Sequence, residues 1–498
     1  MGLNNFYFII HFAVLIMIMF LLQHIRSRRW TETLGRTQII VLLLYSYYFV
    51  ASVDWRFVLC VVIVTIITYV CGLLIERARQ SDKQLQSYGK ARKIVIGGGI
   101  ALVLILVYFK YTNFFIESVN RVFGQNIGML KMILPLGISF FIFSALSYVI
   151  DVYRGICSAE KNIIDFGLYM AFFPKITAGP IVRWTDFKPQ IKEYRSITLN
   201  ELSAGIQIFV FGLFKKMVLA DHLGVFVDDV FRTPGVFNTR TVVLSAISYS
   251  LQIYLDFSGY SDMAIGLAKI LGFDFKPNFN LPYIARGFSD FWNRWHISLS
   301  QWFRDYMYIP LGGGRRGEGR TYINLLIVML VSGLWHGAGW TFILWGLLHG
   351  VASCVTRLIK KNRSKSKIYE SNVIIRAFGA LVTFIFTTLF WTIFRAESIE
   401  KVSIYWKALF TVHSGINQPY TWTFFSIVCV VIATIIAVVR SHRCKVGQEI
   451  KRELETVNGF YPVLDLSKIW SLIFFFSFCG LTILLGYYGN TAFIYGGF

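Results

Sequence analysis

The sequence predicts an all-α integral membrane protein, a multi-pass bundle of about 11–12 spans with additional re-entrant or interfacial helices. Three observations predict it. The 498 residues are 55% hydrophobic and only 15% charged, and their mean hydropathy is +0.57. Many apolar runs approach the roughly 20 residues that cross a bilayer. Lysine and arginine gather in short clusters between those runs, near 26–36, 77–93, 183–195, 315–320, 357–367 and 440–452.

The same numbers exclude other classes. A water-soluble chain of this composition has no way to hide so much apolar surface. The net charge of +22 belongs to loops, not to a compact basic domain, and no zinc-finger or helix-turn-helix spacing occurs, so nucleic acid is not a partner. Seven cysteines are scattered, with no CxxC pair. They read as small apolar residues, not as a disulfide or zinc framework, and no metal or tightly bound cofactor is expected.

In chain order, spans are expected near 4–24, 37–52, 55–75, 94–112, 130–150, 202–220, 241–271, 321–333, 339–358, 374–394, 421–439 and 468–488. The first run, Phe6 to Leu22, has no basic residue before it and Arg26, Arg28 and Arg29 after it, so a retained span is expected, not a cleaved signal. Positive-inside bias puts the basic clusters, including the loops 357–370 and 440–466, in the cytoplasm, and both Met1 and Phe498 outside. Segments 166–182 and 290–311 carry charges or prolines among aromatics, as re-entrant or interfacial pieces do. Pro174 to Pro180 is punctuated by proline and glycine and is expected to break any regular helix.

Three of the eight histidines fall between Phe288 and Gly350: His296, His336 and His349. His336 lies inside an apolar segment, with Gly333, Gly337, Ala338 and Gly339 expected to open space beside its ring. A titratable group at membrane depth faces the protein interior or a wet cavity and marks function, unless it is a structural histidine. Phe291, Trp295, Leu299, Trp302 and Tyr306 recur at three- and four-residue spacing. That is one helical face, expected as an amphipathic helix at the membrane surface. His296 on it either supports chemistry or hydrogen-bonds within the helix. Asp256, Ser258, Ser261 and Asp262 interrupt another apolar run. Two carboxylates there need partners, either as chemistry or as a helix junction tied to basic residues or backbone.

At this point several blocks resemble the membrane-bound O-acyltransferases, and within them the bacterial alginate O-acetyltransferase group. They are Phe291-Trp-Asn-Arg-Trp-His-Ile-Ser-Leu-Ser300 with Trp302-Phe-Arg-Asp-Tyr-Met-Tyr-Ile-Pro-Leu-Gly-Gly313, and Gly333-Leu-Trp-His-Gly-Ala-Gly-Trp340. Others are Ile138 to Gly155, Phe173 to Arg183, Leu255 to Gly266 and Phe394-Arg-Ala-Glu397. The resemblance runs from about residue 130 to the end. It implies a single domain over 1–498, with N-terminal spans (1–125), a core (130–400) and C-terminal spans and tail (401–498). It implies a thin centre reached by funnels from both faces, an acyl-thioester donor such as acetyl-CoA on the cytoplasmic side, and an extracytoplasmic hydrolase-fold partner of the SGNH type or a polysaccharide acceptor.

It also implies site residues. His336 is the catalytic histidine and His296 the supporting one; an imidazole with an ordinary pKa near 6.5 suits a general base. Trp335, Asn293, Trp295, Asp256, Ser258 and Arg304 are expected along the substrate path. Phe493-Ile-Tyr-Gly-Gly-Phe498 is similar to the Phe-Ile-Tyr ending of relatives, making Tyr495 an acyl relay, although Gly496 and Gly497 depart from the usual pair. Function is therefore expected to be O-acylation of an extracytoplasmic polysaccharide by a cell-membrane enzyme. A transporter or flippase for a lipid-linked sugar, and a lysophospholipid acyltransferase, are the alternatives.

Overall fold

The computed structural model describes residues 3–24, 31–84, 89–192, 197–363, 373–444, 461, 463–489 and 494. Among them the chain is helical, with one isolated bridge between Phe237 and Ile416. The helices are α1 (Phe6–His24), α2 (Thr31–Ala51), α3 (Trp55–Gln84), α4 (Gly89–Phe123), α5 (Ile138–Arg154), α6 (Ile163–Ala171), α7 (Phe173–Ile176), α8 (Trp184–Lys192), α9 (Leu199–Leu213) and α10 (Asp221–Arg232). They continue as α11 (Thr239–Ile270), α12 (Phe288–Trp292), α13 (Ile297–Phe303), α14 (Glu318–His336), α15 (Trp340–Arg363), α16 (Val373–Arg395), α17 (Ile399–Phe410), α18 (Thr421–Cys444) and α19 (Ile469–Leu485). Two π-helical segments, Phe214–Ala220 and Arg304–Tyr308, join α9 to α10 and continue α13.

Seven of the described helical stretches are long and apolar enough to cross a membrane: Phe6–His24, Trp55–Ser81, Gly89–Phe123, Leu199–Arg232, Trp340–Lys361, Val373–Arg395 and Thr421–Val439. Helices α2, α5, α11, α14 and α19 coincide with the other expected spans but are shorter or carry more polar residues. Leu104, Ile374, Phe424 and Trp470 present large apolar side chains outward, as lipid-facing helices do. Most of the basic loops at 364–372 and 445–460 lie outside the described residues.

The chain forms two compact units. The first comprises residues 1–206 and 264–275. Its interior is aromatic: Phe166, Tyr169 and Phe172 of α6 and its cap pack on Tyr148, Trp184, Phe187 and Phe273. Asn162 caps α6 by accepting from the N–H groups of Ile164 and Asp165, which satisfies two of the donors that open a helix. The break foreseen at Pro174 is present. Helix α6 ends at Ala171, α7 is a single turn, and residues 177–183 form no helix. Gly137 is required beside it: φ is 71°, and a Cβ there would lie 1.9 Å from the Ile176 carbonyl oxygen.

The second unit comprises residues 207–263 and 276–498. Its densest contact is the hairpin of α14 and α15, where backbones touch at glycine. A Cβ on Gly333 would meet the Phe342 oxygen at 2.3 Å, and one on Gly346 the Met329 oxygen at 2.4 Å. Small residues that let helices approach this closely are typical of membrane packing. Gly212 and Gly259 make a second such contact, between α9 and α11. It brings the first π-helical segment against the middle of α11. There Lys215 pairs with Asp262 and Lys216 with Asp256, at 2.5 and 2.7 Å. The two carboxylates thus meet basic residues at a helix junction, one of the two readings left open by the sequence.

Two expectations fail here. The aromatic face at 291–306 is not one amphipathic helix at the surface. The chain breaks at Asn293–His296, between α12 and α13, and Phe291, Trp295, Leu299, Trp302 and Tyr306 are all buried in the protein. Nor do the glycines around His336 open space. A Cβ on Gly337 would sit 2.1 Å from the Phe342 ring, so that ring already fills the volume.

Candidate active site

His336 is the last residue of α14 and is buried. Three aromatic rings meet it edge-on: Trp335 at 4.9 Å, Trp345 at 5.0 Å and Phe394 at 5.5 Å between centroids. Trp345 comes from the second turn of α15, which the glycine hairpin holds against α14, and Phe394 from the end of α16. The imidazole is therefore fixed by three separate helices. Burial takes the ring out of bulk solvent, and electrostatic interactions are stronger in such low-dielectric surroundings.

His296 opens α13, at the chain break. Its backbone is left-handed, with φ 42° and ψ 57°, an uncommon conformation for a residue with a side chain. Such strain persists where the surroundings over-determine it, and it gathers at functional sites. Here the determinant is Asn278, also buried. The Asn278 side-chain oxygen lies 3.2 Å from His296 Nδ1 and accepts from the Ser298 N–H (3.1 Å) and hydroxyl (2.9 Å). The Asn278 carbonyl accepts from the Ile297 N–H at 2.9 Å. With the ring donating through Nδ1, a neutral His296 keeps Nε2 as its basic atom. Asn278 was not anticipated from the sequence, where it lies 18 residues upstream with nothing to link the two.

The two histidines share one indole. Trp335 is 5.8 Å from His296 and 4.9 Å from His336, edge-on to both. Phe257 of α11 closes the other side of His296 at 4.7 Å. His349 completes the set. It is fully buried, 4.6 Å from Trp345, among Phe288, Phe291, Trp292, Phe390 and Trp391.

The structure brings together some of the expected residues and not others. His336, His296 and Trp335 form one cluster, and Trp295 packs behind it on Phe291, Phe279 and Trp391. Asp256 and Ser258 are buried in α11, flanking Phe257. Asn293 and Arg304 point outward, Arg304 paired with Asp305 at 2.7 Å. Tyr495 lies outside the described residues, but its neighbour Ile494 is described and donates its N–H to Asp256 at 2.8 Å. Six described cysteines are free thiols.

Comparison with known proteins places this cluster in context. The model of the membrane-bound O-acyltransferase family matches residues 158–399, which include all three histidines. The "Probable alginate O-acetylase AlgI" of Pseudomonas putida is 42% identical over 378 residues, covering 75% of this chain and 74% of that protein. The peptidoglycan O-acetyltransferase of Helicobacter pylori is 38% identical over 344 residues, 64% of each chain. The teichoic acid D-alanyltransferase of Streptococcus thermophilus is 31% identical over 275 residues, 50% of this chain and 65% of that one.

Proposed function

Because the chain belongs to the membrane-bound O-acyltransferase family, we propose that this acyltransferase moves an acetyl-type group from a cytoplasmic thioester, acetyl-CoA or a relative, across the cell membrane for O-acylation of an extracytoplasmic polysaccharide. The observation that carries the reading is the His336–Trp335–His296 cluster. It is a buried, rigidly held pair of imidazoles inside the segment that matches the family. Alginate and peptidoglycan, named for two relatives, support a polysaccharide acceptor. Positive-inside counting supports placing both chain ends on the outer side.

In this mechanism His336 is the general base. It takes the proton of an attacking hydroxyl as that oxygen forms its bond to the thioester carbonyl carbon. The C–S bond then breaks, and the proton passes to the departing thiolate. His296, oriented by Asn278, supports the attacking group or the acyl oxygen. The hydroxyl in question is that of Tyr495, whose aryl ester is a reactive donor for an extracytoplasmic SGNH-type partner. The chain has no GxSxG nucleophile elbow with which to complete the final transfer itself.

His336→Ala tests the reading. Loss of a general base lowers the rate about 10²–10⁴-fold, while the protein still inserts and purifies. Mass spectrometry of surface polysaccharides is expected to show acyl esters lost in a deletion strain and not restored by the variant. Wild-type ester content in cells carrying His336→Ala refutes the assignment.

A further inference from the structure

Two buried tyrosines in the second unit stand on one ring and differ in what their hydroxyls meet. Phe231, near the end of α10, stacks on Tyr405 of α17 at 4.2 Å and meets Tyr249 of α11 at 5.6 Å. Exposure is 2% at Tyr405 and 0% at Tyr249. The Tyr405 hydroxyl lies 3.0 Å from the Val242 carbonyl oxygen and 2.7 Å from the Ser245 hydroxyl. The Tyr249 hydroxyl has no hydrogen-bond partner among the described residues. Buried tyrosine hydroxyls ordinarily find one, and each exception calls for a cause.

Tyr249 belongs to a row. Tyr249, Gln252 and Asp256 are spaced three and four residues apart, on one face of α11. That face meets α10 at three levels. Asp256 faces Asp221 across Lys216, which pairs with each carboxylate at 2.7 Å. Gln252 lies against Gly224, where a Cβ would come within 2.9 Å of its Nε2. Tyr249 meets Phe231. The Gln252 side-chain oxygen is buried and also has no hydrogen-bond partner among the described residues.

Both ends of the row are charged. Asp228 and Arg395, whose charges act on the Tyr249 hydroxyl, pair at 2.5 Å with side chains 51% and 32% exposed. At the other end the buried triad sets two carboxylates against one ammonium, a surplus of negative charge. Charge at membrane depth is tolerated where it is paired or reached by water. Tyr249 and Asp256 are about 10 Å apart along α11, at a rise of roughly 1.5 Å per residue.

We propose that the interface of α10 and α11 is a water-binding slot. It runs from the exposed Asp228–Arg395 pair, past the Tyr249 hydroxyl and the Gln252 amide, to the Lys216 triad. A buried water is held where about two to four polar groups converge. Tyr249 and Gln252 supply such groups midway, and the charged side chains supply them at both ends. Water bound there satisfies both oxygens and solvates the surplus carboxylate charge. By positive-inside counting the mouth at Arg395 faces outward. The slot thus brings outside water to the residue before Phe257, the ring that closes one side of His296.

Radiolytic hydroxyl-radical footprinting of the full-length protein in detergent, read by mass spectrometry, tests this. The radicals form from water in place, so a buried side chain is modified where water is bound beside it. Tyr249 is expected to be modified severalfold faster than Tyr405, the control that shares its ring and its burial. Gln252→Leu makes the middle of the row apolar and is expected to slow the modification of Tyr249; an unchanged rate overturns a continuous slot. Thermal unfolding reads the same question with opposite signs. In a dry interface Tyr249→Phe removes a stranded hydroxyl and raises the melting temperature, whereas in a wet one it loses a hydrogen bond and lowers it. Tyr405→Phe, which loses a satisfied hydroxyl, lowers it in either case and calibrates the effect. Modification of Tyr249 no faster than that of Tyr405 overturns the proposal, as does a Tyr249→Phe protein that melts at or above the wild-type temperature.

Discussion

Asn278→Ala is the most revealing perturbation of the histidine cluster outside the histidines themselves. The Asn278 side-chain oxygen faces three polar groups, His296 Nδ1 and the N–H and hydroxyl of Ser298, all within 3.2 Å. Truncation deprives the buried His296 and the half-buried Ser298 of that acceptor. Loss of one such hydrogen-bond partner costs about 1–3 kcal/mol, but the three groups are neighbours and relax together, so their losses do not add. A destabilisation of about 3 kcal/mol follows, a large part of the 5–15 kcal/mol typical of a folded domain yet survivable. The left-handed turn at His296 then loses its main restraint and the ring its orientation. Loss of a partner that aims a functional histidine lowers activity about 10–100-fold. Asn278→Asp keeps an acceptor at the same position and is expected to recover part of both losses. The assay pairs thermal unfolding in detergent with acyl-ester content of the surface polymer. An Asn278→Ala protein that melts and acylates like wild type refutes the argument that Asn278 aims His296.

Three other outcomes follow from the geometry. His296→Ala is expected to give a graded loss of surface acylation, smaller than that of His336→Ala; a wild-type rate would leave His296 a packing role only. Gly337→Ala drives a methyl into the Phe342 ring and is expected to destabilise by about 1–3 kcal/mol, as overpacking does, with Phe342→Ala in the same chain restoring part of the melting temperature; an unchanged melt for the single variant refutes the close fit. Burial pushes the Glu160 carboxyl up, but Lys188 at 2.7 Å and the N–H groups of Asn162 and Lys161 outweigh it and hold it below the usual range. A lowered folded pKa stabilises fully above the unfolded value near 4.3 and is lost as pH falls through the folded one, so the stability gap between wild type and Glu160→Gln is expected to be full at neutral pH and to narrow progressively once the pH falls below the unfolded value; a gap that does not narrow on acidification refutes the linkage.

What the sequence made legible was local and periodic. The span positions, the break at Pro174 and the burial of His336 follow from hydropathy, proline chemistry and a histidine in an apolar run. The break at Asn293–His296 was hidden because three- and four-residue spacing of the aromatics continues through it, so periodicity alone predicts one helix. Tertiary contact overrides that pattern: the Asn278 side chain takes the N–H of Ser298 and holds the turn open. The glycines beside His336 were misread because a missing side chain looks like space until the partner that fills it, Phe342 of the facing helix, is known. Asp256 and Asp262 visibly needed partners. That the partners are the adjacent Lys215 and Lys216 depends on the Gly212–Gly259 contact and on π-helical winding, neither of which leaves a trace in composition.

That winding makes residues 214–220 sensitive to length. A π-helical segment is in effect an α-helix carrying one surplus residue. Each residue of an α-helix turns the chain by about 100°. Removing one residue between Gly212 and Lys215 would let the helix wind regularly while rotating what precedes the gap by roughly that angle. Gly212 would leave Gly259, and a bulkier neighbour would take its place against α11. Insertion of one residue would turn Lys215 and Lys216 away from their carboxylates instead. Most loops of a membrane protein tolerate changes in length; at this helical joint the number of residues matters as much as the identity of Gly212, Lys215 and Lys216.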